Sequence, residues 1–123
     1  MAKRILIVED EPYLRNLYFQ LLTDEAYSVE QASDGDEAYE KMHQGGFDLV
    51  LLDIMLPHIN GLEIMKKLTE NPPLKPNKSI VALTNLPSDK LQKEIQSYGA
   101  KGYFIKSDYD PNQLLTQIKS FLK

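Results

Sequence analysis

Glu9 and Asp10, Asp53, Thr84 and Lys106 each stand at the end of a short apolar run: Ile5-Leu6-Ile7-Val8, Leu49-Val50-Leu51-Leu52, Ile80-Val81-Ala82-Leu83 and Tyr103-Phe104-Ile105 respectively. Unbroken apolar runs of this length mark strands covered on both faces. In an open parallel sheet the carboxyl ends of such strands share one edge, and ligands bind in the crevice there. Three carboxylates, a hydroxyl and an ammonium are therefore expected to converge. Carboxylates that close together repel, and at neutral pH they take up protons or bind a cation. A hard divalent ion suits them, and Mg²⁺ fits because it accepts one or two carboxylates while keeping waters and phosphate oxygens. Lys106 adds a point charge for a carboxylate or phosphoryl oxygen, and Thr84 adds one hydrogen bond. These are the parts of phosphoryl transfer to a carboxylate, with Asp53 as a nucleophile that, being ionised, needs no general base.

Each residue also has a plainer reading. Asp10, just before Pro12, could be only the N-cap of the following helix. Asp53 could not, because Ile54-Met55-Leu56-Pro57 separates it from a helix starting at Gly61. Thr84 alone would be a strand-end hydroxyl satisfying a backbone group, and Tyr103 reads as either core or a moving part. His43 and His58 lack ligand spacing and read as surface residues. Tyr13, Tyr18 and Tyr39 read as core or its margin. Asp34, Asp36 and Glu37 make an acidic helix start that complements the helix dipole without a ligand.

The elements that position these groups alternate along the chain. Leu14, Leu17, Tyr18, Leu21 and Leu22 form a helical stripe behind Pro12, whose missing N–H costs nothing in a first turn. Further helices are expected from Asp34 to Gln44, ending at Gly45-Gly46; from Gly61 to Asn71, before Pro72-Pro73; and from Ser88 to Tyr98, ending at Gly99. The last runs through Leu114, Leu115, Ile118, Phe121 and Leu122, opened by Asp110, Pro111 and Gln113 as a capping box. Ser28-Val29-Glu30-Gln31-Ala32 alternates apolar with polar and suits an edge strand. The expected fold is α/β: a doubly wound, five-stranded parallel sheet of order 2-1-3-4-5, flavodoxin-like, with helices on both faces and right-handed crossovers.

Composition narrows the function. The chain has 123 residues, 42% of them apolar, and no cysteine, which excludes disulfide scaffolds, thiol catalysis and iron–sulfur clusters. With 14 Lys+Arg against 18 Asp+Glu the net charge is −4, which argues against nucleic-acid contact by this domain. Glu9, Asp10 and Glu11 cut the first apolar run far short of a signal peptide, and no stretch approaches the ~20 residues of a membrane span. A single domain over 1–123, cytoplasmic and away from membranes, is the expectation.

Taken together, Ile5-Leu6-Ile7-Val8-Glu9-Asp10, Leu51-Leu52-Asp53-Ile54-Met55-Leu56-Pro57 with Gly61, Leu83-Thr84, Gly99-Ala100 and Tyr103-Phe104-Ile105-Lys106 resemble the receiver domain of two-component response regulators, over essentially the whole chain. The resemblance implies that Asp53 accepts a phosphoryl group from a sensor histidine kinase or a histidine phosphotransfer protein. It implies Mg²⁺ held by Asp10, Asp53 and the Met55 backbone carbonyl, with Glu9 acting through metal-bound water. Thr84 and Lys106 would contact the phosphoryl oxygens. Thr84 and Tyr103 would then switch the face built from the fourth helix, fifth strand and fifth helix, and so control a downstream effector protein or domain. Such a domain is no turnover enzyme and catalyses only its own phosphorylation and dephosphorylation. The resemblance leaves room for a phosphorylation-dependent dimer, and for either a stand-alone receiver or one belonging to a longer regulator.

Three features depart from the family pattern. Ser107 follows Lys106 where receivers usually carry a Pro in a cis bond, Asn85 and Leu86 replace a small residue after Thr84, and Pro72 to Pro76 form a Pro-rich loop. A degenerate receiver serving only as an interaction module is one rival. A phosphatase using an aspartyl nucleophile would need a second Asp where Met55 stands. A flavin carrier of the same fold would need a phosphate-binding loop where Glu9-Asp10-Glu11 stand, and these would repel phosphate.

Overall fold

The computed structural model describes residues 2–122, so Met1 and Lys123, the two ends of the expected domain, lie outside the described residues. Five parallel strands, β1 (Arg4–Val8), β2 (Ser28–Ala32), β3 (Leu49–Asp53), β4 (Ile80–Thr84) and β5 (Gly102–Ile105), pair in the order β2-β1-β3-β4-β5. The expected order is the observed one. Between and after them run α1 (Pro12–Asp24), α2 (Gly35–Gln44), α3 (Gly61–Glu70), α4 (Asp89–Ser97) and α5 (Pro111–Ile118).

Strand residues alternate between two apolar layers, which is why the strands read as continuous rather than alternating runs. Ile5, Ile7, Leu49, Leu51, Val81 and Leu83 face Tyr18, Leu22, Leu114 and Ile118 of α1 and α5. Leu6, Val8, Val50, Leu52 and Ala82 face Met42, Ile64, Leu68 and Ile95 of α2, α3 and α4. Ile5, Leu6 and Ile7 are fully buried, and each such side chain contributes roughly 1.5–3 kcal/mol relative to exposure. The edge strand β2 is only partly covered, and its Glu30 is tied to Arg4 at 2.7 Å and Lys41 at 3.2 Å.

Two expectations about helices need correcting. Tyr13 is 74% exposed, because it lies one residue, about 100° of rotation, off the buried stripe of α1. The last helix does not continue to Leu122 as an α-helix; after Ile118 the chain tightens into a 3-10 turn over Lys119–Leu122, a common ending where the final carbonyls lack α-helical partners. The capping box at Asp110 and Gln113 forms as expected. No helix among the described residues is long and apolar enough to cross a membrane.

The Pro-rich loop packs beneath the amino-terminal edge of the sheet. Leu74 N–H donates to the His43 carbonyl at 2.8 Å, and Gly46 N–H donates to that of Lys75 at 3.2 Å. Gly45 permits this contact twice over: its φ is +74°, and a Cβ there would lie 1.7 Å from the Lys75 carbonyl oxygen. Gly45→Ala is expected to lower the unfolding free energy by about 2 kcal/mol or more, read from the urea midpoint at unchanged slope.

Candidate functional site

The site is built at the carboxyl edge of the sheet. Glu9 leaves β1 with its N–H donated to Ala32, and it is 1% exposed; Asp53 is the last residue of β3 and 3% exposed. From beyond β5, on the far side of β4, Lys106 reaches both: its Nζ donates to Glu9 Oε1 at 2.6 Å and to Asp53 Oδ2 at 3.0 Å. The other oxygens of the pair accept main-chain N–H groups, Glu9 Oε2 from Glu11 at 3.2 Å and Asp53 Oδ1 from Met55 at 3.2 Å. Asp10 is exposed, and carboxylate oxygens of Glu9, Asp10 and Asp53 lie within 4.8 Å of one another. Together they line a cleft of about 350 Å³ that Glu11, Leu14, Met55 and Asn85 complete.

Local structure explains the placement. Asp10 does not cap α1: that part falls to Glu11, whose carboxylate accepts from Tyr13 and Leu14 N–H, so the capping reading of Asp10 is overturned and its carboxylate is left to the cleft. After Asp53 the chain turns back on itself, with Gly61 N–H donating to the Ile54 carbonyl at 2.8 Å. A Cβ on Gly61 would come within 2.9 Å of the Asp53 carbonyl oxygen and 2.8 Å of the Ile54 Cα, so only glycine lets α3 begin so close to β3. Lys106 opens a 3-10 turn over Lys106–Asp108, and the Lys106–Ser107 bond, like every peptide bond among the described residues, is trans.

Burial dominates the electrostatics. It pushes the Glu9 carboxyl up to about 7, against the Lys106 hydrogen bond and with the help of repulsion from Asp53. Burial also works against the Lys106 charge, but the hydrogen bond to Glu9 and the pull of Asp53 outweigh it and hold its pKa above the usual lysine value. Beneath them Tyr18 is pushed above the ordinary phenol range, by burial first and then by the Glu9 and Asp53 charges. A divalent cation would fit this donor set: oxygen ligands alone, two buried carboxylates and an exposed one converging, with the buried pair already partly neutralised by an ammonium.

Thr84 and Tyr103 stand beside the cleft rather than in its lining. The Thr84 hydroxyl, fully buried, accepts from Leu86 N–H at 3.1 Å. The Tyr103 hydroxyl donates to the Leu86 carbonyl at 3.0 Å, while its ring packs against the core layer under α4. Burial raises the Tyr103 pKa, the nearby Asp89 adding to it. Both residues thus hold Leu86, one by its N–H and the other by its carbonyl, which sequence spacing alone did not reveal. Asn85, noted in the sequence only as a departure, is part of the cleft wall. His58 is exposed, yet its Nδ1 lies 3.2 Å from Asp36 and 3.8 Å from Asp34, a proximity that sequence distance hid. His43 stacks on Tyr39.

Known proteins resemble this chain in sequence and in fold. The sequence pattern of the response regulator receiver domain matches residues 5–119. The transcriptional regulatory protein SrrA of Staphylococcus aureus is 32% identical over 123 residues, all of this chain and 49% of that protein, so the chain spans about half the length of the curated relatives it matches. The structure of a CheY-like receiver domain protein from Methanospirillum hungatei superposes with a TM-score of 0.85 at 32% identity, covering 99% of this chain and 94% of that one. The response regulator TrrA of Thermotoga maritima, solved in complex with Mg²⁺ and BeF, gives 0.76 at 34% identity, covering 98% of this chain and all of that one. Fold and site define a signalling domain of the two-component class rather than a turnover enzyme. The chain belongs to the response regulator receiver domain family.

The raised Glu9 pKa has a definite sign in stability. The folded state keeps a proton that the unfolded chain releases at the ordinary value of 4.5, so folding takes up a proton between there and about 7. This contribution is fully present below 4.5 and is lost as pH rises through about 7. Urea unfolding in a chelator at about pH 5 and about pH 8 should show the wild type losing stability across the interval. Glu9→Gln should flatten that slope.

Proposed function

We propose that the chain is a phosphoacceptor receiver, spanning 1–123 as one domain, in which Asp53 takes a phosphoryl group from a sensor histidine kinase or a histidine phosphotransfer protein. The observation that carries this is the Lys106 ammonium held between two buried carboxylates, Glu9 and Asp53, at an open cleft. An ammonium so placed can shift from Asp53 to an arriving phosphoryl oxygen without leaving Glu9. Asp10, Asp53 and the Met55 carbonyl would hold Mg²⁺, with Glu9 bonding its waters, and the ion would neutralise charge on the transferring group. A carboxylate oxygen of Asp53 attacks phosphorus in line as the phosphorus–nitrogen bond to the donor imidazole breaks. The chain's own catalysis ends there and in the later hydrolysis of the acyl phosphate, whose water must pass the wall made by Met55 and Asn85.

A protein donor suits this edge: Met55, in the cleft wall, is 56% exposed, and Tyr13 and Leu86, each next in sequence to a lining residue, are 74% and 54% exposed. Once Asp53 carries the phosphoryl group, Thr84 would give up the Leu86 amide to donate to it. Tyr103, bound to the carbonyl of the same residue, would follow, altering the face of α4, β5 and α5 that a downstream effector protein or domain reads. A second copy of the chain could meet that face in a phosphorylation-dependent dimer. The reading places the domain in the cytoplasm without membrane or direct nucleic-acid contact.

Incubation with Mg²⁺ and a small phosphodonor should add one base-labile phosphoryl group by mass spectrometry, and omitting the ion or substituting Asp53→Asn should abolish it. The same modification on Asp53→Asn would sink the assignment. Lys106→Ala should slow phosphorylation roughly a hundredfold, measured as the initial rate at saturating Mg²⁺.

A further inference from the structure

Arg15 sits one turn into α1, and its side chain runs back toward the helix start, as long side chains on helices do. Its Nη1 donates to the Glu9 carbonyl at 2.9 Å and to the Asp10 carbonyl at 3.4 Å. The choice of partners is informative. Glu9, Asp10 and Glu11 offer carboxylates in the same segment, yet the guanidinium binds main-chain oxygens, while Glu11 is spent on capping and Glu9 on Lys106. The two peptide groups so held set the directions in which neighbouring side chains leave the chain: Glu9 inward, 1% exposed, and Asp10 outward into the cleft. Glu9 is fixed independently by Lys106 and by the Glu11 amide. For the exposed Asp10, the orientation of the loop is what keeps its carboxylate within 4.8 Å of the other two.

We propose that Arg15 is a positioning residue for the cation site: by clamping consecutive carbonyls of the β1–α1 loop it presents the Asp10 carboxylate toward Asp53. The inference rests on the magnesium reading given above. Geometry and charge here act with opposite sign, which makes the proposal decidable. A guanidinium near a cation repels it, so if charge alone mattered, removing Arg15 would tighten Mg²⁺ binding. If positioning matters, removal weakens it.

Calorimetric titration with Mg²⁺, with no phosphodonor present, should show Arg15→Ala binding about tenfold more weakly than wild type. Arg15→Met, which keeps the aliphatic stem but no donor, should lose as much. Arg15→Lys, which can still donate to one carbonyl, should recover most of the loss. Melting temperatures in a chelator separate this from damage to α1, since a residue that merely supports the helix would lower them and leave Mg²⁺ affinity untouched. Equal or tighter Mg²⁺ binding by Arg15→Ala and Arg15→Met overturns the proposal. Failure of the wild type itself to bind Mg²⁺ would instead overturn the reading of the site.

Discussion

The Lys106 ammonium, placed between Glu9 and Asp53 at 2.6 and 3.0 Å, is the contact on which the carboxyl edge of this sheet depends. Two carboxylates almost without solvent access would be untenable as a pair of free anions. The ammonium makes them tolerable and joins the ends of β1, β3 and β5 across the intervening β4. Its two partners stand at the ends of β1 and β3 and the lysine itself follows β5, so the contact exists only in the assembled sheet. Burial still wins at Glu9, whose carboxyl sits near neutrality, and so the edge remains under electrostatic tension. A site of that kind gains from a cation or from a redistribution of charge, as expected of a receiver that changes state when one group is added.

The same edge holds a short path from charge to surface. Leu86 receives the Tyr103 hydroxyl on its carbonyl and gives its N–H to Thr84, so one residue of the β4–α4 connection is shared by a buried group near Asp53 and an aromatic ring under α4. Leu86 itself is about half exposed, so its side chain is not locked into the core and these two bonds are what hold it. In the proposed function, a shift at Thr84 alters what Tyr103 can bond to, with no need for a longer chain of contacts. Ser107 is the point of departure from the family pattern nearest this path. With Lys106–Ser107 trans and a 3-10 turn over Lys106–Asp108, Lys106 still reaches both carboxylates.

Much of the fold was legible because both helix faces and covered strands write their periods into the chain. The stripe of α1, the four continuous runs and the alternating β2 all pointed to their observed places. The errors share one cause, which is that neighbours in space were judged from neighbours in sequence. For Asp10 the sequence left helix capping open beside the cation site because it precedes Pro12, but one residue later Glu11, with its longer side chain, reaches two N–H groups. Tyr13 looked like core because it is aromatic and close to the stripe, yet one residue is a rotation of about 100°. His58 reads as a surface residue and is one, its side chain 61% exposed; what the spacing hid is that Asp34 and Asp36 meet it when the β3–α3 loop folds against the start of α2.

What the amino-acid sequence determined by itself was the set of parts: which residues form strands, which polar residue ends each strand, and hence which groups must meet at one edge of a parallel sheet. Those follow from periodicity and from the rule that parallel strands share their carboxyl ends. Tertiary structure alone decided the pairings: Lys106 with both Glu9 and Asp53, Thr84 and Tyr103 with the same Leu86 unit, Arg15 with the carbonyls behind Asp10. A hydrogen bond depends on distances of a few tenths of an ångström and on direction. Those are properties of packed elements, which no spacing along the chain contains.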